Sequence, residues 1–191
     1  MRLFVEPRDS VARGSEHERR LEVQVPRQER TAWCWAAVAT ACADHYGVAG
    51  FDQPTIAAAL IAQGLPGDAV GLEQHVDGSW RAPVDDNRYA ELGHALRVVG
   101  CFGHWSPGRP PMARLVEEIS AGRPVGVQIR WLTGGAHYAL VVGCASRAAQ
   151  LHIDDPWFGL SVQAYGGFPH SYHGRTGCWR GTYWTNPPDG P

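Results

Sequence analysis

One cysteine in this chain stands apart from the rest. Cys34 lies between Trp33 and Trp35, follows Gln28 at a short distance and opens an alanine-rich run from Ala36 to Ala43. A cysteine attacks a carbonyl as its thiolate, so a site that uses one needs a helix N-terminus or an imidazolium beside it. It also needs a base within reach of the sulfur, a group to orient that base, and donors for the oxyanion that forms as the carbonyl becomes tetrahedral. The chain offers candidates for every role in the order Gln, Cys, His, Asp. The side-chain amide of Gln28 is a neutral donor that cannot quench an ion pair, and with the backbone N–H of Cys34 it suits the oxyanion. His137 follows Thr133-Gly134-Gly135-Ala136 and begins the run HYALVVG, which places it at a strand end beside a glycine loop, where functional side chains commonly sit. His45 lies about three helical turns from Cys34 and is too far away to be its base. Asp154 and Asp155 are neighbours before Pro156. Neighbouring strand residues point to opposite faces, so one of them can reach His137, and spacing does not choose which.

The elements that must position these residues follow from local pattern. Residues 1–19 are polar and aperiodic and read as a flexible leader, with one domain expected over 20–191. Leu21, Val23 and Val25 alternate with polar residues up to Pro26, a strand signal that delivers the chain to Gln28. Thr31 stands where a helix cap could sit, and Trp33 to Tyr46, closed by Gly47, reads as a helix with Cys34 in its first turn. Further helices are expected over about 54–63 and 86–99, with a glycine-rich irregular stretch between them, and another in PPMARLVEEISAG. From Arg123 onward the texture changes to short β-branched and aromatic runs, PVGVQIRW, HYALVVG, QLHID, LSVQAY and WRGTYW, the signature of an antiparallel sheet. The fold class is therefore α+β, with an N-terminal helical half that carries the cysteine and a C-terminal antiparallel β-sheet half.

Composition narrows the function classes. A net charge of −2 with dispersed arginines provides no basic stripe, so nucleic acid is not an expected partner. The longest apolar run is far too short to span a bilayer, so no membrane partner is expected either. The first residues carry acids, a proline and arginines instead of an apolar stretch, so no Sec-type signal is read there. An odd set of five cysteines at scattered positions fits free thiols in a reduced compartment. Cys42, on the same helical face as Cys34 but deeper in the run, reads as structural. His170, His173 and Cys178, or His94, Cys101 and His104, lack the paired spacing of a zinc motif, and no nucleotide-binding glycine pattern occurs. No metal and no cofactor is expected.

Taken together, VPRQERTAWCWAA, RPVGVQIRWLTGGAHYALVVG and LHIDDPWFG resemble the three blocks of compact bacterial papain-like cysteine peptidases. The likeness is nearest to the effector proteases of plant-pathogenic bacteria and more distant to the peptidases that process double-glycine bacteriocin leaders. The resemblance implies a papain-like fold and a thiol hydrolase acting on a protein or peptide substrate, with a host or partner protein as a further partner. It implies Cys34 as nucleophile, His137 as base, Asp155, through its Asp-Pro-Trp setting, as orienting residue, and Gln28 in the oxyanion hole. The chain would then work in the bacterial cytoplasm or, secreted by a non-Sec route, in a host cell. It departs from plant and lysosomal papains in lacking their glycine-serine lead-in to the cysteine. Pro156-Trp157-Phe158-Gly159 resembles the Pro-x-Phe-Gly target of the effector proteases, although a turn accounts for it more simply. Two alternatives remain at this level. The same machinery serves deamidation, isopeptide cleavage or acyl transfer, and a papain-like domain can be an inactive binding module, which the ordered set of four roles argues against.

Overall fold

A computed structural model describes residues 18–63, 73–74, 80–81 and 87–188. Its elements in chain order are β1 (Glu18–Arg20), α1 (Cys34–His45), α2 (Gln53–Ala62), β2 (Glu73–Gln74), β3 (Trp80–Arg81), α3 (Leu92–Val98), β4 (Phe102–Pro107), α4 (Met112–Ser120), β5 (Val125–Trp131), β6 (Ala136–Ala145), β7 (Gln150–Asp155), β8 (Gly159–Ala164) and β9 (Gly177–Thr185). The principal sheet has seven antiparallel strands in the order β4-β9-β5-β6-β7-β8, with β1 continuing the ladder along the far end of β6. The α+β arrangement expected from the sequence is the one observed.

Strand β6 lies at the centre of the molecule because both of its faces are apolar. Tyr138, Leu140 and Val142 pack against α1, α2 and α3, whereas Ala139 and Val141 pack with Leu115 and Ile119 of α4 on the opposite face, the two-residue alternation of a strand. Helix α1 is buried from Cys34 to Ala43, and its alanines let the backbone approach its neighbours closely. Helix α2 begins at an Asp52 cap whose Oδ1 accepts the Thr55 N–H at 2.8 Å, and a proline lies in its first turn.

Several local expectations are corrected. The strand predicted at 21–25 lies earlier, at Glu18–Arg20, so Glu18 and Arg19 of the expected leader pair with Ala145 and Cys144. Residues 21–25 run outside any ladder because they change faces: Leu21 joins the α4 side and Val25 the α1 side. The third helix is shorter than predicted, starting at Leu92, because Asn87 is engaged with Ala32 before α1 and Arg88 with Trp35 in its first turn. Strand β4 was not foreseen, since Gly103, His104 and Pro107 interrupt any β pattern in its sequence. Residues 1–17 of the expected leader and most of the glycine-rich stretch lie outside the described residues.

Candidate active site

Helix α1 starts at Cys34, with Trp33 at the N-cap and, among the described residues, no side-chain cap hydrogen bond. Thr31, the expected cap, instead uses its hydroxyl to accept from Asn87 Nδ2 at 2.6 Å. The amides of Cys34, Trp35 and Ala36 belong to the first turn and so have no intrahelical acceptor, which leaves the positive end of the helix at the thiol. The segment before the helix is held by side-chain amides. Gln53 accepts the Glu29 N–H at 3.0 Å and donates to the Arg27 carbonyl at 2.9 Å. Asn87 Oδ1 accepts the Ala32 N–H at 2.8 Å, and Trp35 Nε1 donates to Arg88 O at 3.0 Å. Trp33 and Trp35 are both buried in the core around α1.

His137 is the second residue of β6, after a tight β5–β6 turn in which Gly134 and Gly135 have φ of 95° and 80°, a conformation suited to glycine. Its Nε2 is 2.9 Å from both carboxylate oxygens of Asp155, and the Cys34 thiol is near enough to the same ring to help raise its pKa. With Nε2 engaged, Nδ1 is the nitrogen left for the thiol. Burial alone would lower the His137 pKa, but the hydrogen bonds and charges of Asp155 and Cys34 outweigh it and raise the pKa to about 9. The imidazolium therefore persists well above its ordinary range.

The register of the sheet decides between the two aspartates. Leu140 pairs with Asp154 and Val141 with Ile153, so Asp155 lies on the face of Ile153, Val141 and His137. Asp154 points the other way and accepts the Val25 N–H at 2.8 Å. Asp155 is almost fully buried and each of its oxygens has further donors. Oδ1 accepts the N–H groups of Trp157 and Phe158 at 2.8 and 3.1 Å, and Oδ2 accepts the Tyr172 hydroxyl at 3.1 Å. Pro156-Trp157-Phe158 is thus the turn between β7 and β8, closed onto Asp155, and Gly159 opens β8.

Gln28 is buried beside this group, and its backbone N–H donates to Pro156 O at 3.0 Å. Its Nε2 donates to the carbonyls of Arg30 and Thr31, each at 2.8 Å, while its Oε1 is buried without a partner among the described residues. Exchanging the two amide atoms would set an oxygen against two carbonyls, so the orientation is fixed by chemistry. Gln28, Thr31, Trp131, His137, Trp157 and Arg175 are among the residues lining a cavity of about 260 Å³, with the Arg175 guanidinium stacked 4.3 Å over Trp131.

The structure brings Cys34, His137 and Asp155 together, with His137 bonded to Asp155, and Gln28 to the cavity beside them. Cys42 and Cys101 are buried together, with burial raising both thiols, Cys101 to about 11. His45 is bonded to Gly122 O at 2.7 Å. Among the described residues no group of three or more His, Cys, Asp and Glu side chains could hold a metal ion, and no helix is long and apolar enough to cross a membrane. Sequence reasoning missed Tyr172, Gln53 and Asn87, none of which has a local pattern that announces its partner.

The arrangement can ionise a thiol, hold an imidazolium against it and accept a peptide carbonyl from the cavity. A family model described as papain-like cysteine protease AvrRpt2 matches residues 15–172, a span that contains all four of these residues. No curated protein matches the chain. The chain belongs to the AvrRpt2 family of papain-like cysteine proteases, enzymes whose substrates are proteins.

Proposed function

We propose that the chain is an endopeptidase in which Cys34 is the nucleophile, His137 the general base and acid, Asp155 the orienting carboxylate and Gln28 an oxyanion donor. The Cys34 sulfur attacks the scissile carbonyl carbon, and the carbonyl oxygen takes up the negative charge. His137 gives its proton to the departing amine, leaving an acyl thioester on Cys34. It then takes a proton from water as the hydroxide adds to the thioester, and the second tetrahedral species collapses to the acid product and the free thiolate. Asp155 keeps the ring turned so that Nδ1 faces the sulfur and stabilises the imidazolium in each half-reaction.

The oxyanion would be met by the Cys34 N–H at the open helix end and by Gln28 Nε2. In the substrate-free chain both Nε2 protons are bonded to neutral carbonyls. A charged oxygen is the stronger acceptor and would draw one of them away. Endopeptidase action is favoured over acyl transfer or deamidation because the cavity beside His137 adjoins a second one of about 390 Å³ that shares Ala136, giving the extended shape that a peptide needs. In keeping with the effector family, we place the work of the enzyme in a host cell reached by a non-Sec route, with a host protein as substrate.

The observation that carries the proposal is the His137 ring held between the Cys34 thiol and both oxygens of Asp155. It is tested by the pH dependence of Cys34 alkylation by iodoacetamide, with the labelled site read by mass spectrometry. Rapid labelling of Cys34 well below pH 8 that His137→Ala abolishes supports the thiolate-imidazolium pair. Slow labelling with an ordinary thiol profile overturns it.

A further inference from the structure

The second cavity is lined by three guanidinium groups, from Arg97 of α3, Arg130 of β5 and Arg180 of β9, together with His94. Each cation has a reason to be where it is. The Arg97 guanidinium stacks 3.9 Å over the Phe102 ring, which fixes a long side chain whose planar N–H edge suits a planar anion. His94 precedes it by three positions on the same helix and so shares its face. The β5–β9 ladder shifts register between Gln128, opposite Gly181, and Ile129, opposite Trp179. Arg180 is therefore the extra residue of a β-bulge, a device that re-aims a side chain. A Cβ at Gly181 would collide with the Trp105 indole, so glycine there lets Trp105 line the cavity.

Among the described residues no carboxylate is ion-paired with any of the three arginines. Among the described residues Glu91 is the one acid in the lining, and its Oε2 already accepts from Tyr183 at 2.6 Å and Tyr138 at 3.2 Å. Three cations thus face one occupied carboxylate in a cleft, a strong field for an anion. Position gives that field its use, because Arg130 lies directly across the ladder from Ala136, the residue before His137, and Ala136 lines both cavities.

We propose that this cavity is a subsite for an acidic side chain of the peptide substrate, an aspartate or glutamate a few residues from the scissile bond. The proposal rests on the endopeptidase reading above. Guanidinium–carboxylate bonds lost with an uncharged side chain give an expected preference of about ten- to a hundredfold in kcat/KM for Asp over Asn, or Glu over Gln, at one position.

The test is digestion of a positional-scanning peptide library by the full chain, with iodoacetamide labelling of Cys34 run in parallel. The expected result is an acidic preference at a single position that Arg130→Gln and Arg180→Gln each reduce and that Arg180→Glu turns toward Lys and Arg. Normal Cys34 labelling serves as the check that each variant is folded, with Arg97→Gln as substitute for one that is not. Inorganic phosphate should raise KM for the acidic peptide and leave its amide counterpart unaffected, which separates a site for a substrate side chain from one for any free anion that blocks the cleft. Cleavage without acidic preference, or with a preference indifferent to these arginines, overturns the subsite and leaves the peptidase standing. Absence of any cleavage together with an ordinary Cys34 profile overturns the peptidase reading, and the subsite with it.

Discussion

The two sides of His137 are built on opposite terms. On the Asp155 side both carboxylate oxygens are satisfied, by the ring, two turn amides and a tyrosine hydroxyl, in a place closed to solvent. On the Gln28 side an amide donates to two carbonyls of its own loop while its oxygen is buried without a partner among the described residues. The first arrangement is complete before substrate arrives, and the second has a buried polar atom unspent and a bond to exchange. The comparison teaches that the His137–Asp155 pair is preorganised and that the Gln28 side must adjust to serve as the proposed oxyanion donor, so damage to each should leave a different kinetic mark.

The largest effect is expected where the two sides meet. Cys34→Ala and His137→Ala should each lower peptide hydrolysis about ten-thousandfold or more, since neither half-reaction proceeds without them. Gln28→Ala should cost about a hundred- to a thousandfold in kcat with little change in KM, and a loss confined to KM would remove Gln28 from the oxyanion role. Asp155→Asn should cost less in kcat and act mainly on pH dependence. His137 is raised in the folded chain, so its charged form adds stability in full below about pH 6.5, and this is lost as pH rises through about 9. Asp155→Asn should move the alkaline limb of kcat/KM down from about 9 and flatten the fall in Tm across that window. The smallest effect is expected from Tyr172→Phe, a few-fold loss in kcat and about 1 kcal/mol in urea unfolding, since Asp155 keeps its other donors. A Tyr172→Phe loss as deep as that of Gln28→Ala would show that the preorganised side, too, depends on every bond.

What was legible in the chain depended on how local its signal was. The Cys34 helix, the His137 strand and the α4 helix announce themselves through neighbours a few positions away. The choice between Asp154 and Asp155 needed the register against β6, which is a property of two strands and was supplied beforehand only by the family resemblance. Gln53 and Asn87 hold the segment before Cys34 from 24 and 55 positions away, and a polar side chain carries no mark of a partner so distant. The alternation of Leu21, Val23 and Val25 was genuine but belonged to a segment crossing between two cores, so it read as a strand where the ladder had already ended. Arg97, Arg130 and Arg180 looked like dispersed charge because a helix, a central strand and a bulge bring them together.

The place of β9 in the sheet has a consequence for how the enzyme comes into being. This strand, the last among the described residues, lies between β4 and β5 and pairs with both. A nascent chain, or one emerging N-terminus first from a narrow channel, therefore keeps two unsatisfied strand edges until residues 177–185 are free to insert. The long-range pairing it requires is also the slow kind. Proteolytic competence should accordingly appear late, once β9 has inserted between β4 and β5.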